Sequence, residues 1–234
     1  MTHQKRLSKT LAAAGIASRR ASEALIFSGK VKVNGAVVYT PQTLVTLGKD
    51  DIRVNNTPIK NEEKKLYFIL NKPKGFICSN KRLNEKKLVI DLFSSISKRL
   101  FTVGRLDRDT TGLLLLTNDG NFAQSVIHPS NNISKEYLIK TKEEITHDHL
   151  VMISKGTLIE GHWIKPLSVK KVRRGTLKIV VKEGKKREVR LLIINASLTL
   201  LSLSRIRIGA LKLNALSEGS FRELSETEKS LIFQ

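Results

Sequence analysis

The chain has 234 residues, 40% of them hydrophobic, and 42 Lys/Arg against 21 Asp/Glu give it a formal net charge of +21. That length suits one large domain or a large and a small one, and the apolar share is enough for a packed core, which argues against wholesale disorder. No apolar run approaches the ~20 residues that cross a bilayer, and Met1 to Arg6 lacks signal-peptide character, so a cytoplasmic protein is expected; the charge excess calls for a polyanion, nucleic acid before a membrane surface, since no strong basic amphipathic helix is seen.

Residues 3–60 read as a first unit. Leu7, Leu11, Ala12 and Ile16 recur at helical spacing, with Gly15 as a stop. Ser18 is placed to cap a second helix that turns Ala21, Leu25 and Ile26 inward and ends at Gly29. Lys30-Val31-Lys32-Val33 alternates as a half-buried strand does, and Asn34-Gly35 signals a two-residue hairpin turn returning through Ala36-Val37-Val38. The outward positions are basic: Lys5, Arg6, Lys9, Arg19, Arg20, Lys30 and Lys32. This order of helix, Ser-Arg-Arg helix and Lys-Val-Lys-Val-Asn-Gly hairpin resembles the S4 RNA-binding domain over residues 5 to about 48. Arg6, Ser18, Arg19, Gly29, Val31, Val33, Asn34 and Gly35 fall on that pattern. The resemblance implies that the basic side chains bind RNA phosphates, which gives affinity with little sequence reading. The plainer reading is a solvated basic face on a small helical hairpin.

Asn61-Glu62-Glu63-Lys64-Lys65 is uniformly polar and reads as a linker, so a second domain would span 66–234. It opens on Leu66–Leu70, which reads as a strand that Asn71-Lys72-Pro73-Lys74-Gly75 should break, because proline donates nothing to a ladder. Cys78, alone in the sequence, excludes an intramolecular disulfide and a cysteine-rich zinc site and reads as a buried, inert thiol. Leu113–Leu116, closed by Thr117-Asn118-Asp119-Gly120, reads as a buried strand ended by a turn. A short helix follows over 121–127, with Phe122, Val126 and Ile127 inward. A strand is expected at 136–140 and a helix at 144–154. Two strands, 168–172 and 176–181, would flank Arg174-Gly175. A helix is expected at 185–195 and a strand at 201–204. Ser225-x-x-Glu228 makes a capping box that starts a helix to Leu231. His147-x-His149 offers no fuller metal-ligand grouping. Strands with interspersed helices and no regular βαβ spacing predict an α+β domain with a mainly antiparallel sheet and flanking helices.

The most informative stretch is 104–120, Gly-Arg-Leu-Asp-Arg-Asp-Thr-Thr-Gly-Leu-Leu-Leu-Leu-Thr-Asn-Asp-Gly. A short polar loop holds Asp107 and Asp109 among Arg105 and Arg108, and a loop anchored on a buried strand is a rigid mount for a reactive group. Cations beside a carboxylate favour its charged form, which suits a nucleophile or base. From the loop alone, Asp107 as a turn cap or as a partner of Arg105 is an equal reading. The full string resembles the catalytic motif of pseudouridine synthases, in the branch acting on small- and large-subunit ribosomal RNA. Lys-Pro-x-Gly at 72–75, Gly209, and Gly219-x-x-Arg222-x-Leu224 also fit that family.

The resemblance implies a catalytic domain that isomerises a uridine in ribosomal RNA to pseudouridine. Asp107 would be the essential aspartate. Tyr137, in Lys135-Glu136-Tyr137, would stack on the extruded base, and Arg190 would pair with the aspartate. Arg105 would fill the gap left by the flipped nucleotide. Lys185, Lys186 and Arg187 would add RNA contacts beside Arg190, though Lys186, Glu188 and Leu191 depart from the family pattern, which bears on the choice of target nucleotide. The reaction calls for no metal and no small-molecule cofactor. The partner would be ribosomal RNA or a pre-ribosomal particle, met by a monomer. Leu113–Gly120 followed by His128-Pro129 leans towards large-subunit RNA. Three routes for Asp107 stay open: attack on C1′, addition to C6 of uracil, or removal of a proton from C2′. The rival readings are a non-catalytic ribosome-assembly factor and a structural ribosomal protein.

Overall fold

The computed structural model describes residues 4–59, 61–82, 85–182 and 184–234; the expected bounds His3 and Lys60 of the first unit lie outside them, as does Glu183. The chain forms two compact units. One holds Met1–Lys65 together with Ile96–Arg99 and Asn118–Gly120, and the other holds the remainder.

In the first unit, β1 (Lys5–Arg6) leads into α1 (Leu7–Ala13), and α2 (Arg19–Phe27) starts where the Ser18 side chain accepts from the Ala21 N–H. β2 (Val31–Val33) and β3 (Ala36–Val37) are joined by Asn34 (φ 51°) and Gly35 (φ 86°), the positive-φ pair that a tight hairpin turn requires. β4 (Leu44–Val45) pairs with β1, while β5 (Ile52–Val54) and β6 (Thr57–Ile59) complete a sheet of order β3-β2-β5-β6. Leu7, Leu11, Ile26, Val31, Val45, Ile52 and Val54 form its core. Two expectations are corrected. Ala21 is exposed and Ser22 takes the buried position, because the α2 stripe runs through residues 22 and 26. Ile16 lies beyond the end of α1 and is 43% exposed.

The second unit is built on one sheet. Its strands are β7 (Tyr67–Lys72), β8 (Phe101–Val103), β9 (Thr111–Thr117), β10 (Lys135–Thr141), β13 (Ser168–Arg173), β14 (Thr176–Val181), β15 (Leu200–Ile208), β16 (Leu211–Lys212) and β17 (Phe221–Glu223); a separate hairpin comprises β11 (Thr157–Ile159) and β12 (His162–Ile164). The main order is β13-β14-β10-β15-β9-β7-β17, with β16 against β15 and β8 against β9. Among the described strands of this sheet every pairing is antiparallel except β9 with β15, which meet at Thr111↔Ser204 and Gly112↔Arg205. Gly112 (φ 102°) permits that meeting, since a Cβ there would lie 2.3 Å from the Arg205 carbonyl oxygen.

Leu113–Leu116 are all fully buried because both faces of the sheet are covered, which turns the usual alternation into a continuous apolar run. Leu113 and Leu115 join a core with Ile69, Val126, Ile208 and Ile232. On the other face Phe68, opposite Leu116, meets Phe93 and Phe221. Burying each such side chain contributes about 1.5–3 kcal/mol. The helices are α3 (Gly120–Ile127), α4 (His147–Lys155), α5 (Glu188–Asn195) and α6 (Glu226–Leu231), the last opened by the Ser225–Glu228 capping box.

Three expected boundaries move, and one inward assignment is corrected. β7 continues through Asn71 and Lys72 instead of breaking there, and Lys72 is fully buried. α4 starts at His147, because Ile145 is buried and its N–H donates to the Arg174 carbonyl, and the extended Thr146 is the cap. α5 starts at Glu188, because Arg187 is left-handed (φ 58°). Ile127 is 49% exposed. Among the described residues no helix is long and apolar enough to cross a membrane.

Candidate active site

The loop between β8 and β9 is fastened on three sides. Asp107 O accepts from the Thr110 N–H at 3.1 Å, closing a turn over Arg108 and Asp109. Gly75 N–H donates to Arg108 O at 2.8 Å. The buried Lys72 ammonium donates to the carbonyls of Pro73 (3.0 Å), Arg108 (3.3 Å) and Thr110 (2.9 Å). Burial pushes the Lys72 pKa down, opposed by the fields of Cys78, Asp109, Asp107 and Glu218. Before the turn, Leu106 is buried and exchanges hydrogen bonds with the Cys78 thiol, N–H to Sγ and Sγ to O, both at 3.4 Å. Burial raises the Cys78 pKa, so the group remains a thiol able to donate that second bond. Cys78 thus straps the loop down, and neither it nor Lys72 touches the open side.

On that open side a cleft of about 400 Å³ is lined by Arg105, Asp107, Thr110, Ile127, Tyr137, Leu203 and the run Gly184–Arg190. Asp107 keeps 41% of its side chain exposed to this cleft, and its Oδ2 lies 3.4 Å from Arg190 Nε. The Arg190 Nη2 donates to Thr110 Oγ1 at 2.9 Å, so the guanidinium is fixed by two residues of the same loop. Arg190 comes from α5, and Tyr137, 8% exposed, stands on β10 opposite Ile179 and Arg205. Lys185, Lys186 and Arg187 lie in the segment entering α5 and form one wall. Glu188 shapes that wall: buried, its Oε2 accepts from the N–H groups of Gly184 (2.9 Å) and Lys185 (3.0 Å). A carboxylate there has a structural use that its departure from the family pattern did not disclose.

The structure therefore brings Asp107, Tyr137, Arg190, Arg105, Lys185, Lys186 and Arg187 round one cleft. Lys5, Arg6, Lys9, Arg19, Arg20, Lys30 and Lys32 belong to the other unit. There Lys5 pairs with Glu62, Arg19 lies 3.6 Å from Glu23, and Lys32 donates to Asn56 at 3.2 Å, while Arg6, Lys9, Arg20 and Lys30 are exposed or half-exposed. Asp109 is exposed on the turn. Sequence reasoning missed Lys72, Thr110 and Arg205. Lys72 resembled a strand breaker before proline. Thr110 is a small residue inside the motif and carried no signal of its own. Arg205 is buried on β15, donates from Nε to Leu113 O at 2.8 Å, and leaves its Nη2 without a partner among the described residues. His149 bonds to the Thr146 cap, and among the described residues no group of three or more His, Cys, Asp or Glu is placed to hold a metal ion.

Comparison with known proteins gives the arrangement relatives. The model of the family described as RNA pseudouridylate synthase matches residues 66–195, and that of the S4 domain matches residues 5–52. The chain is 49% identical over 244 residues to a chloroplast protein of Arabidopsis thaliana named as a putative ribosomal large-subunit pseudouridine synthase, covering 96% of this chain but 59% of that one. It is 39% identical over 230 residues to ribosomal large subunit pseudouridine synthase B of Bacillus subtilis, covering 96% and 93%. A crystal structure of a pseudouridylate synthase superposes with a TM-score of 0.70 at 27% identity, covering 97% of this chain and 99% of that one.

Proposed function

The chain belongs to the RNA pseudouridylate synthase family, and from that premise we propose that it isomerises a uridine of ribosomal RNA to pseudouridine, with large-subunit RNA favoured by the names of its relatives. The observation that carries this reading is the pairing of Asp107 and Arg190 at 3.4 Å in a cationic cleft that Tyr137 also lines. In the reaction the N1–C1′ bond breaks, the uracil turns, and C5 bonds to C1′ while its proton passes to N1.

The reacting atoms are out of reach within a helix, so the nucleotide must be extruded, at a cost of a few kcal/mol. Tyr137 offers an aromatic face on which a base can stack, worth about 1–3 kcal/mol. Phosphate contacts supply the rest, from the Lys185–Arg187 wall and from the first unit. Asp107 is the reacting carboxylate. Arg190, 3.4 Å from its Oδ2, orients it, and is itself oriented by Thr110. Arg105, exposed at the cleft, takes the place the nucleotide leaves. Residues 3–60 act as an S4 RNA anchor, 61–65 as a linker, and 66–234 as the catalytic domain of a monomer that works on ribosomal RNA or a pre-ribosomal particle in the cytoplasm.

The test is Asp107→Asn. Carbodiimide mapping of ribosomal RNA should show one pseudouridine lost in cells lacking the protein, restored by the natural chain and not by the variant. RNA binding of the variant should stay within about threefold, since one neutralised carboxylate removes no bond to phosphate. Pseudouridine formed by the variant refutes the role of Asp107. A null strain with an unchanged map refutes the activity and leaves the assembly-factor reading.

A further inference from the structure

The same loop borders a second recess, of about 710 Å³, lined by Lys74, Phe76, Lys86, Lys87, Arg108 and one carboxylate, Glu85. This lies within the span of about 300–1,000 Å³ usual for ligand sites. The four cations are exposed. Glu218, whose Oε1 accepts from the Lys74 N–H at 3.1 Å, and Asp109, next to Arg108, reduce the positive excess without cancelling it. Phe76 contributes a half-buried ring, with Lys87 Nζ 5.9 Å from its centroid. Cations around an aromatic face are the elements that hold single-stranded nucleic acid: charge for the phosphate, a ring for the base. An acidic peptide would use the charges and leave the ring idle.

The position of the recess narrows the ligand further. Asp107 lines the first cleft and Arg108 lines this one, and they are consecutive in a turn whose backbone is pinned by Gly75 and Lys72. The two recesses are therefore held in fixed register. A strand that delivers a nucleotide to Asp107 must lay its neighbours close to Arg108. We propose that this recess seats a nucleotide flanking the target uridine on the same RNA strand, with its phosphate among Lys86, Lys87 and Arg108 and its base against Phe76. The proposal rests on the reading that the substrate is RNA, and it assigns part of the choice of target to residues outside the catalytic cleft.

The experiment uses the full chain and two RNAs: a flanked RNA, a single strand with the modified uridine at its centre, and an unflanked RNA in which neutral alkyl spacers replace the nucleotides on either side of that uridine. Binding is measured at several salt concentrations for the natural protein, a Lys86→Glu/Lys87→Glu double variant, and Phe76→Leu, which keeps apolar bulk and removes the ring. For the flanked RNA the double variant should bind at least tenfold more weakly, with a salt slope shallower by about 0.7 for each phosphate that is no longer neutralised. Phe76→Leu should weaken the same RNA about fivefold or more, the loss of one stacked base. The unflanked RNA should separate neither variant from the natural protein. Equal weakening on both RNAs would reduce the recess to diffuse surface charge and overturn the proposal. So would natural affinity of both variants for the flanked RNA, which would hand the recess to another class of partner. Pseudouridine formation by the natural protein, read in parallel, tests the activity separately: its absence defeats that reading, while the binding comparison still decides the recess.

Discussion

Replacing Lys72 by methionine tests whether the loop that carries Asp107 is positioned from behind. The side chain is fully buried and gives three hydrogen bonds, to Pro73, Arg108 and Thr110 at 2.9–3.3 Å. Methionine fills much the same volume and removes all three. Arg108 O keeps its bond from the Gly75 N–H, so Pro73 O and Thr110 O are the acceptors left short. An unmet buried acceptor costs about 1–3 kcal/mol. Part of that is offset, because the variant no longer buries an ammonium, a burden that already pushes the Lys72 pKa down. The net expectation is a loss of about 1–3 kcal/mol in urea unfolding. The catalytic effect should be larger than the stability effect. Thr110 O lies three residues from Asp107, and displacing a reacting group by about 1 Å can cost on the order of 100-fold in rate. Single-turnover pseudouridine formation at saturating RNA should fall by a factor of about 10–100 under conditions where the variant stays folded. A folded Lys72→Met protein with a rate within about twofold of the natural one would refute the positioning argument, since each tenfold corresponds to about 1.4 kcal/mol of barrier.

Two further outcomes follow from the same geometry. Thr110→Val keeps the shape of a 2% exposed side chain and removes the acceptor for Arg190 Nη2; a hydrogen bond to a charged group is worth about 1.5–3 kcal/mol, so the single-turnover rate should drop at least about tenfold, and an unchanged rate would show that Asp107 alone orients the guanidinium. At the C-terminal helix, the Arg222 guanidinium, bonded at 2.6 and 2.8 Å, holds the Glu228 carboxyl down at about 2, below its ordinary 4.5, with help from Ser225. The folded value lies below the unfolded one, so the contribution is complete above pH 4.5 and is lost as the pH falls from there towards 2. Urea midpoints of the natural chain and Glu228→Gln should differ most above about pH 5 and converge towards pH 2, and a gap that persists at pH 2 would contradict this.

Much of the fold was legible because local chemistry and tertiary position agree. Asn34-Gly35 turns, Ser18 and Ser225 cap, and four consecutive leucines mark a strand covered on both faces. Where the sequence misled, a long-range partner decided the outcome. Lys72 before a proline reads as polar punctuation, and two of the three carbonyls that make its burial tolerable belong to a loop thirty-odd residues later. The start of α5 moved because the Glu188 carboxylate turns back onto two backbone amides, which a periodicity argument does not contain. The residues round the cleft were legible as members of a family pattern, but the part that Thr110 plays within its motif, and that Arg205 plays on β15, was not. Their side chains matter through distant partners, Arg190 on α5 and Leu113 on the neighbouring strand, and spacing along the chain carries no trace of that.

The single parallel seam among the described strands sets when this centre can exist. It joins β9 to β15 directly beside the Asp107 turn, and the guanidinium that faces the carboxylate arrives from a helix immediately before β15. Contacts between segments so distant in sequence are slow to form, since loop closure must precede them. A nascent or refolding chain therefore gains its helices and hairpins first and its reactive pair last, and recovery of turnover after denaturation should be timed by zipping of that seam, well behind the recovery of helical signal.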